Sequence, residues 1–171
     1  MTARILVVDD EPDLELLILQ RFRRQIHDGE FSFTFADDGV NALAVLDASS
    51  DIDMLLCDIN MPRMDGLTLL GRLQEREDHP ATVIVSAYGD MANIRTAMNR
   101  GAFDFVTKPI DFADLQVTIA KTLRNLEITR EHQRRQQEAE RARAAFAVFL
   151  ASPGGPARRR HQVHQPGRAV A

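Results

Sequence analysis

Apolar residues in this chain follow two rhythms. The first is the short unbroken run: Ile5-Leu6-Val7-Val8, Met54-Leu55-Leu56-Cys57 and Val83-Ile84-Val85. Near-continuous Val, Ile and Leu without alternation predict central parallel strands, buried on both faces. Phe31, Phe33 and Phe35 alternate with Ser32 and Thr34, which is strand periodicity with the rings in the sheet core. Ala102 to Val106 predicts the last strand. The second rhythm is helical. Leu14, Leu17, Ile18 and Phe22 share one face after Pro12, a residue suited to a first helical turn. Ala42, Leu43 and Leu46 mark the next helix, 67–76 the third, and 91–100 a fourth that Gly101 ends. Asp111 is placed to cap a last helix carrying Leu115, Ile119, Leu123 and Leu126. Five strands alternating with five helices predict an α/β fold: a parallel sheet, right-handed crossovers and helices on both faces.

In such a sheet every strand ends on the same edge, where ligands of open α/β sheets bind. Four of the five predicted strands run out into polar groups there: Asp9 and Asp10, Asp58, Ser86 and Lys108. Each alone has a plain explanation. An aspartate after a strand caps a turn, and the adjacent acids Asp9-Asp10-Glu11 are either solvated or serve a cation. Convergence is harder to explain structurally, because close carboxylates repel by roughly 1–4 kcal/mol per pair. A Mg²⁺ ion, which takes oxygen ligands, together with Lys108 would offset that repulsion. The set suits phosphoryl transfer. The Asp58 carboxylate would attack in line, Lys108 and the metal would neutralise developing charge, and the Ser86 hydroxyl would bond a phosphoryl oxygen.

Composition narrows the setting. One cysteine, Cys57, excludes an internal disulfide framework and fits a reducing, cytoplasmic compartment. No apolar run reaches membrane-spanning length, and the first apolar run is too short for a signal peptide. Charge divides the chain: residues 1–126 hold 12 Lys and Arg against 21 Asp and Glu, net −9, while 127–171 hold 9 against 4, net +5. An acidic body argues against direct nucleic-acid binding there.

The motifs Val7-Val8-Asp9-Asp10-Glu11, Asp58-Ile59-Asn60-Met61-Pro62-Arg63-Met64-Asp65-Gly66, Ser86-Ala87 and Phe105-Val106-Thr107-Lys108-Pro109 stand in one order across residues 4 to about 126. In this the chain resembles the receiver domain of two-component response regulators. The resemblance implies a flavodoxin-like, doubly wound sheet of order 2-1-3-4-5. It implies that Asp58 is the phosphoacceptor, charged by a sensor histidine kinase or phosphotransfer protein. Asp10 would bind Mg²⁺ directly, Asp9 through water, with Asp58 and the main-chain carbonyl of Asn60 completing the protein ligands. Lys108 would pair with the phosphoryl group, and the peptide before Pro109 would be cis. Ser86 would be the switch hydroxyl and Phe105 the switch aromatic, here without the hydroxyl of the commoner tyrosine. Asn60 and Tyr88 occupy positions that tune phosphoryl lifetime. Such a domain signals by a population shift rather than by turnover, with at most self-phosphorylation and autodephosphorylation. Its output face would carry Met91, Ile94, Met98 and Phe103 to Phe105, although helical spacing makes ordinary core the plainer expectation for the two methionines.

Beyond the receiver body (1–126), residues 127–150 are rich in Glu, Gln, Arg and Ala and lack Gly and Pro, so they should continue the last helix. A strong heptad seam is missing, which points to a solvated signalling helix able to pair weakly in a homodimer. Glu131–Arg135 is a favourable pair, and Phe146, Phe149 and Leu150 form an apolar end. The segment resembles the linker that joins receivers to a nucleotide cyclase or similar output in longer regulators. Residues 151–171, with Arg158-Arg159-Arg160, should form a disordered basic tail. Two other classes fit a doubly wound sheet. An aspartyl-phosphate phosphohydrolase of the haloacid-dehalogenase type needs a second acid two residues after the nucleophile, where this chain has Asn60, and turnover of p-nitrophenyl phosphate would reveal it. A flavodoxin-like binding module would be yellow when purified.

Overall fold

The computed structural model describes residues 1–154. It divides into a unit over Met1–Thr129 and a second from Arg130 onward. In the first unit β1 (Ala3–Val8), β2 (Phe31–Ala36), β3 (Met54–Asp58), β4 (Ala81–Ala87) and β5 (Asp104–Lys108) form one parallel sheet of order β2-β1-β3-β4-β5. The helices are α1 (Pro12–Arg21), α2 (Arg23–His27), α3 (Gly39–Ala48), α4 (Gly66–Gln74), α5 (Met91–Asn99) and α6 (Phe112–Ala151).

Alternation along the buried strands feeds two cores. Leu6, Val8, Leu55, Cys57 and Ile84 point to one face and pack with Ala42, Leu46, Leu69, Leu70, Leu73 and Ala97 of α3, α4 and α5. Ile5, Val7, Met54, Leu56, Val83, Val85 and Val106 point to the other and pack with Leu14, Ile18 and Phe22, and with Leu115 and Ile119 of α6. Fully burying one Leu or Ile is worth about 1.5–3 kcal/mol, so these runs hold the strand ends rigidly. The expected strands are present, and β3 is buried along its whole length. The phenylalanines of β2 are only half buried, because β2 is an edge strand pairing with β1 alone.

Several expectations are corrected. The first helix is two: it breaks at Phe22, whose buried ring meets Phe31 and Phe33 at centroid distances of 5.9 and 5.6 Å. Leu17 is exposed, at the margin of the face that Leu14, Ile18 and Phe22 bury. Met91 and Met98 are exposed, since α5 buries Ile94 and Ala97 instead. β5 begins at Asp104, two residues late, so Lys108 belongs to the strand. In α6 the inward position after Ile119 is Thr122, bonded to the Thr118 carbonyl at 2.7 Å, and Leu123 and Leu126 are half buried.

In the second unit, α6 continues helical to Ala151 and its side chains are exposed throughout. Glu131 pairs with Arg135 at 2.7 Å. Arg158-Arg159-Arg160 and most of the expected tail lie outside the described residues. Among the described residues no helix is long and apolar enough to cross a membrane.

Candidate functional site

Register brings the predicted residues to one edge. Val8 pairs with Cys57, Asp58 with Val85, and Ala87 with Lys108. Asp9 follows β1 and is anchored by its amide to the Ala36 carbonyl at 3.0 Å. Asp58 is the last residue of β3 and is 5% exposed, so it sits in the sheet rather than on the loop beyond it. Gly66 lets the following chain close back tightly. Its amide donates to the Ile59 carbonyl at 2.8 Å, and an added Cβ would lie 2.9 Å from Ile59 Cα and nearer still to the Asp58 carbonyl oxygen.

Lys108 is the hub. Its Nζ lies 3.0 Å from Asp58 Oδ2, 3.2 Å from Asp9 Oδ2 and 3.2 Å from Glu11 Oε1. One oxygen each from Asp9, Asp10 and Asp58 lie within 4.8 Å of one another. Asp9 Oδ1 accepts the Glu11 amide at 2.8 Å, but the buried Asp9 Oδ2 receives no well-formed hydrogen bond even with the Lys108 ammonium beside it. A desolvated carboxylate oxygen left short of donors, facing two more carboxylates, is a donor set for a hard cation. The Asn60 amide approaches Asp58 Oδ1 at 3.4 Å. The Lys108–Pro109 peptide is cis.

The charges respond accordingly. Burial pushes the Asp58 carboxyl above the usual aspartate range, the Lys108 hydrogen bond opposes this, and the Asp9 charge adds to it. Burial works against the Lys108 ammonium, but the hydrogen bond and charge of Asp58, with Asp9 and Glu11, outweigh it and raise its pKa. Burial pushes the Cys57 thiol up as well, with the Asp58 and Asp9 charges adding to it, so Cys57 is an unreactive core residue.

The other predicted residues are not among the partners of Lys108. Ser86 is fully buried within β4, and its hydroxyl reaches Asp90 Oδ2 at 3.5 Å. Phe105 on β5 is 37% exposed and lines a groove of about 320 Å³ with Thr107, Pro109 and Val117. Tyr88 is exposed. Sequence reasoning missed Glu11 as a Lys108 partner, although it closes the Asp9-Asp10-Glu11 run. It also missed Asp38, a buried cap of α3 whose second oxygen pairs with Arg63.

The family model described as response regulator receiver domain matches residues 5–120. The chain is 34% identical over 125 residues to the regulatory protein AtoC of Escherichia coli, covering 72% of this chain and 26% of that one. It is 32% identical over 117 residues to the DNA-binding transcriptional regulator NtrC of Salmonella typhimurium, covering 68% and 24%. It thus spans about a quarter of these relatives. Among solved structures it is similar to NtrX from Brucella abortus in complex with ADP, at TM-score 0.68 and 30% identity over 77% of this chain and 29% of that one. It is also similar to the receiver domain of an HD domain-containing protein from Pseudomonas fluorescens, at TM-score 0.64 and 27% identity over 76% and 93%. With its family model matched across the sheet and every motif on one edge, the chain belongs to the response regulator receiver domain family.

Proposed function

We propose that this receiver accepts a phosphoryl group on Asp58 from a sensor histidine kinase or phosphotransfer protein, and that its altered conformation controls a partner or output domain through α6. The observation that carries the reading is the ammonium of Lys108 held 3.0 Å from Asp58 beside the donor-poor Asp9 Oδ2. In the transfer a carboxylate oxygen of Asp58 attacks phosphorus. The P–O bond forms as the P–N bond to the donor histidine breaks, and the electron pair leaves on the imidazole nitrogen. The Lys108 hydrogen bond opposes the rise that burial imposes on the Asp58 carboxyl, and its ammonium would follow charge onto the phosphoryl oxygens. Asp9, Asp10, Asp58 and the main-chain carbonyl of Asn60 would hold Mg²⁺, which supplies charge neutralisation at the transferring group.

Ser86 would leave Asp90 for a phosphoryl oxygen, and Phe105 would turn inward on the same event. Ligands that differ between two states shift their populations, so no catalytic turnover is required. The receiver proper would occupy 1–126, with 127–150 as a helical linker able to pair weakly with a second copy, in the cytoplasm.

The test is intact mass after incubation with acetyl phosphate and Mg²⁺. One added phosphoryl group is expected on the wild-type chain, and none on Asp58→Ala or without Mg²⁺. An adduct that persists in Asp58→Ala would remove Asp58 from its role.

A further inference from the structure

The loop between β3 and α4 carries Asn60 past the carboxylate edge, and one side chain ties it to a distant element. Arg63 reaches back to Asp38: both Nε and Nη2 of its guanidinium meet Asp38 Oδ2. The carboxylate it meets is 1% exposed and already employed, because Asp38 Oδ1 caps α3 by accepting the Asn41 amide at 2.9 Å. The hydrogen bond from the Asn41 amide holds the Asp38 carboxyl below the usual aspartate range; burial opposes this and Arg63 reinforces it. Arg63 does this at φ +63°, and among the described residues it is the one non-glycine residue with positive φ. That region disfavours any side chain with a Cβ. An arginine kept where glycine would sit more easily points to its side chain.

Two neighbouring contacts share the seam. The Gly39 amide donates to the Met64 carbonyl at 3.3 Å. Met64 also packs where a Cβ on Gly39 would stand, 2.7 Å from Met64 Cγ. Thus residues 63–64 of the loop are fastened to residues 38–39 at the start of α3. The other end of the loop is pinned at the sheet, where the Ile59 amide donates to the Val85 carbonyl at 3.1 Å. Asn60, two residues past Asp58 and with its carbonyl as the proposed ligand, lies between these two anchors.

We propose that the Arg63–Asp38 pair is a positioning latch: it holds the Asn60 segment in register with the carboxylates, so that the cation site is formed before any ligand arrives. This rests on the reading of that edge as a Mg²⁺ site. Arg63 and Asp38 touch no proposed ligand and act through the backbone between them. Groups that orient ligands in this way typically alter metal affinity by about 10–100-fold when removed.

The test uses the full chain and three substitutions. Arg63→Gly removes the guanidinium while accepting the positive φ. Asp38→Asn keeps a good helix cap while removing the charge. Arg63→Lys keeps the charge and loses the planar fork. Mg²⁺ affinity is measured by calorimetric titration, and loop opening by hydrogen exchange of the 59–66 amides without metal. The latch predicts faster exchange confined to that loop and a Mg²⁺ dissociation constant raised about tenfold in Arg63→Gly and in Asp38→Asn. It also predicts no further loss in the double variant and partial recovery in Arg63→Lys. A wild-type Mg²⁺ affinity in Arg63→Gly overturns the latch, as do additive losses. A wild-type chain that binds no Mg²⁺ overturns the reading of the site itself, and the latch with it.

Discussion

Lys108 and a bound cation draw on the same carboxylates, so removing the lysine should weaken the metal-free fold and strengthen metal binding at once. Lys108→Met keeps the aliphatic stem and deletes the ammonium. That ammonium lies 3.0–3.2 Å from Asp58, Asp9 and Glu11, and each contact is worth about 1.3 kcal/mol even at the dielectric of water. The Asp9 and Asp58 contacts are worth more, because those carboxylates are buried, while Glu11 is largely solvated. Desolvation of the ammonium and ordering of its stem oppose the gain. A net loss of about 2 kcal/mol is expected for the variant in EDTA. A divalent cation on Asp9 and Asp58 would be repelled by Lys108 by about 1–2 kcal/mol in a water-like dielectric. Its loss should therefore tighten Mg²⁺ binding by about tenfold.

The assay is urea unfolding followed by far-UV circular dichroism, since the chain has no tryptophan and one tyrosine. Midpoints are compared in EDTA and across a Mg²⁺ series, where added stability grows with the logarithm of free metal over its dissociation constant. The folded pKa of Lys108 is raised above 10.5, so its contribution is fully present at pH 7–9 and is lost only as pH rises through that folded value. The difference between variant and wild type should accordingly be flat from pH 7 to 9. Unchanged or weaker Mg²⁺ affinity in Lys108→Met would refute the claim that lysine and cation share these oxygens.

Three further outcomes follow from the same geometry. The raised pKa of Asp58 favours its protonated form in the fold; that preference is lost as pH rises through the folded value, leaving an ionised group that costs stability at neutral pH. Asp58→Asn should thus raise the urea midpoint in EDTA at pH 7.5 and not at pH 3, and an equal effect at both would contradict the electrostatic account. Gly66→Ala would drive a Cβ against the Asp58 and Ile59 backbone, so a loss of about 3 kcal/mol or outright misfolding is expected in the same unfolding assay. Ser86→Ala should still gain a phosphoryl group by intact mass, yet keep the unphosphorylated pattern of hydrogen exchange over residues 103–107, and a full shift in that pattern would dismiss the hydroxyl as a switch element.

The candidate edge was legible because its residues lie at the ends of strands that announce themselves. Asp9 and Asp58 come directly after unbroken apolar runs, and parallel strands must deliver their ends to one edge. Ser86 and Lys108 needed only the same rule. What escaped was tertiary in origin. Phe22 continues a clean helical face, yet the helix breaks there, and its ring packs on rings of β2 and α6 at a distance in sequence. Met91 and Met98 have core spacing, but α5 is rolled so that Ile94 and Ala97 face inward. Asp38 reads as one acid in the turn Asp37-Asp38-Gly39, and Arg63 as one base in a turn. They are 25 residues apart, and no local periodicity links them.

The proposed switch can be weighed against what these residues supply. Moving a domain from 1:99 to 99:1 takes about 5.5 kcal/mol of differential binding. Phe105 has 37% of its surface exposed, and turning a ring of about 200 Å² inward would hide roughly 75 Å². At about 25 cal/mol per Å² that contributes about 2 kcal/mol, too little alone. Ser86 is inexpensive to recruit, because its present bond to Asp90 is 3.5 Å long, at the limit of a real hydrogen bond. Charge-assisted bonds from Ser86 and Lys108 to a phosphoryl group would add about 1.5–3 kcal/mol each. Near the middle of that range the two bonds supply about 4.5 kcal/mol, and the aromatic contribution then carries the sum past the threshold. A receiver lacking the tyrosine hydroxyl at Phe105 leans more heavily on the two groups that touch the phosphoryl itself.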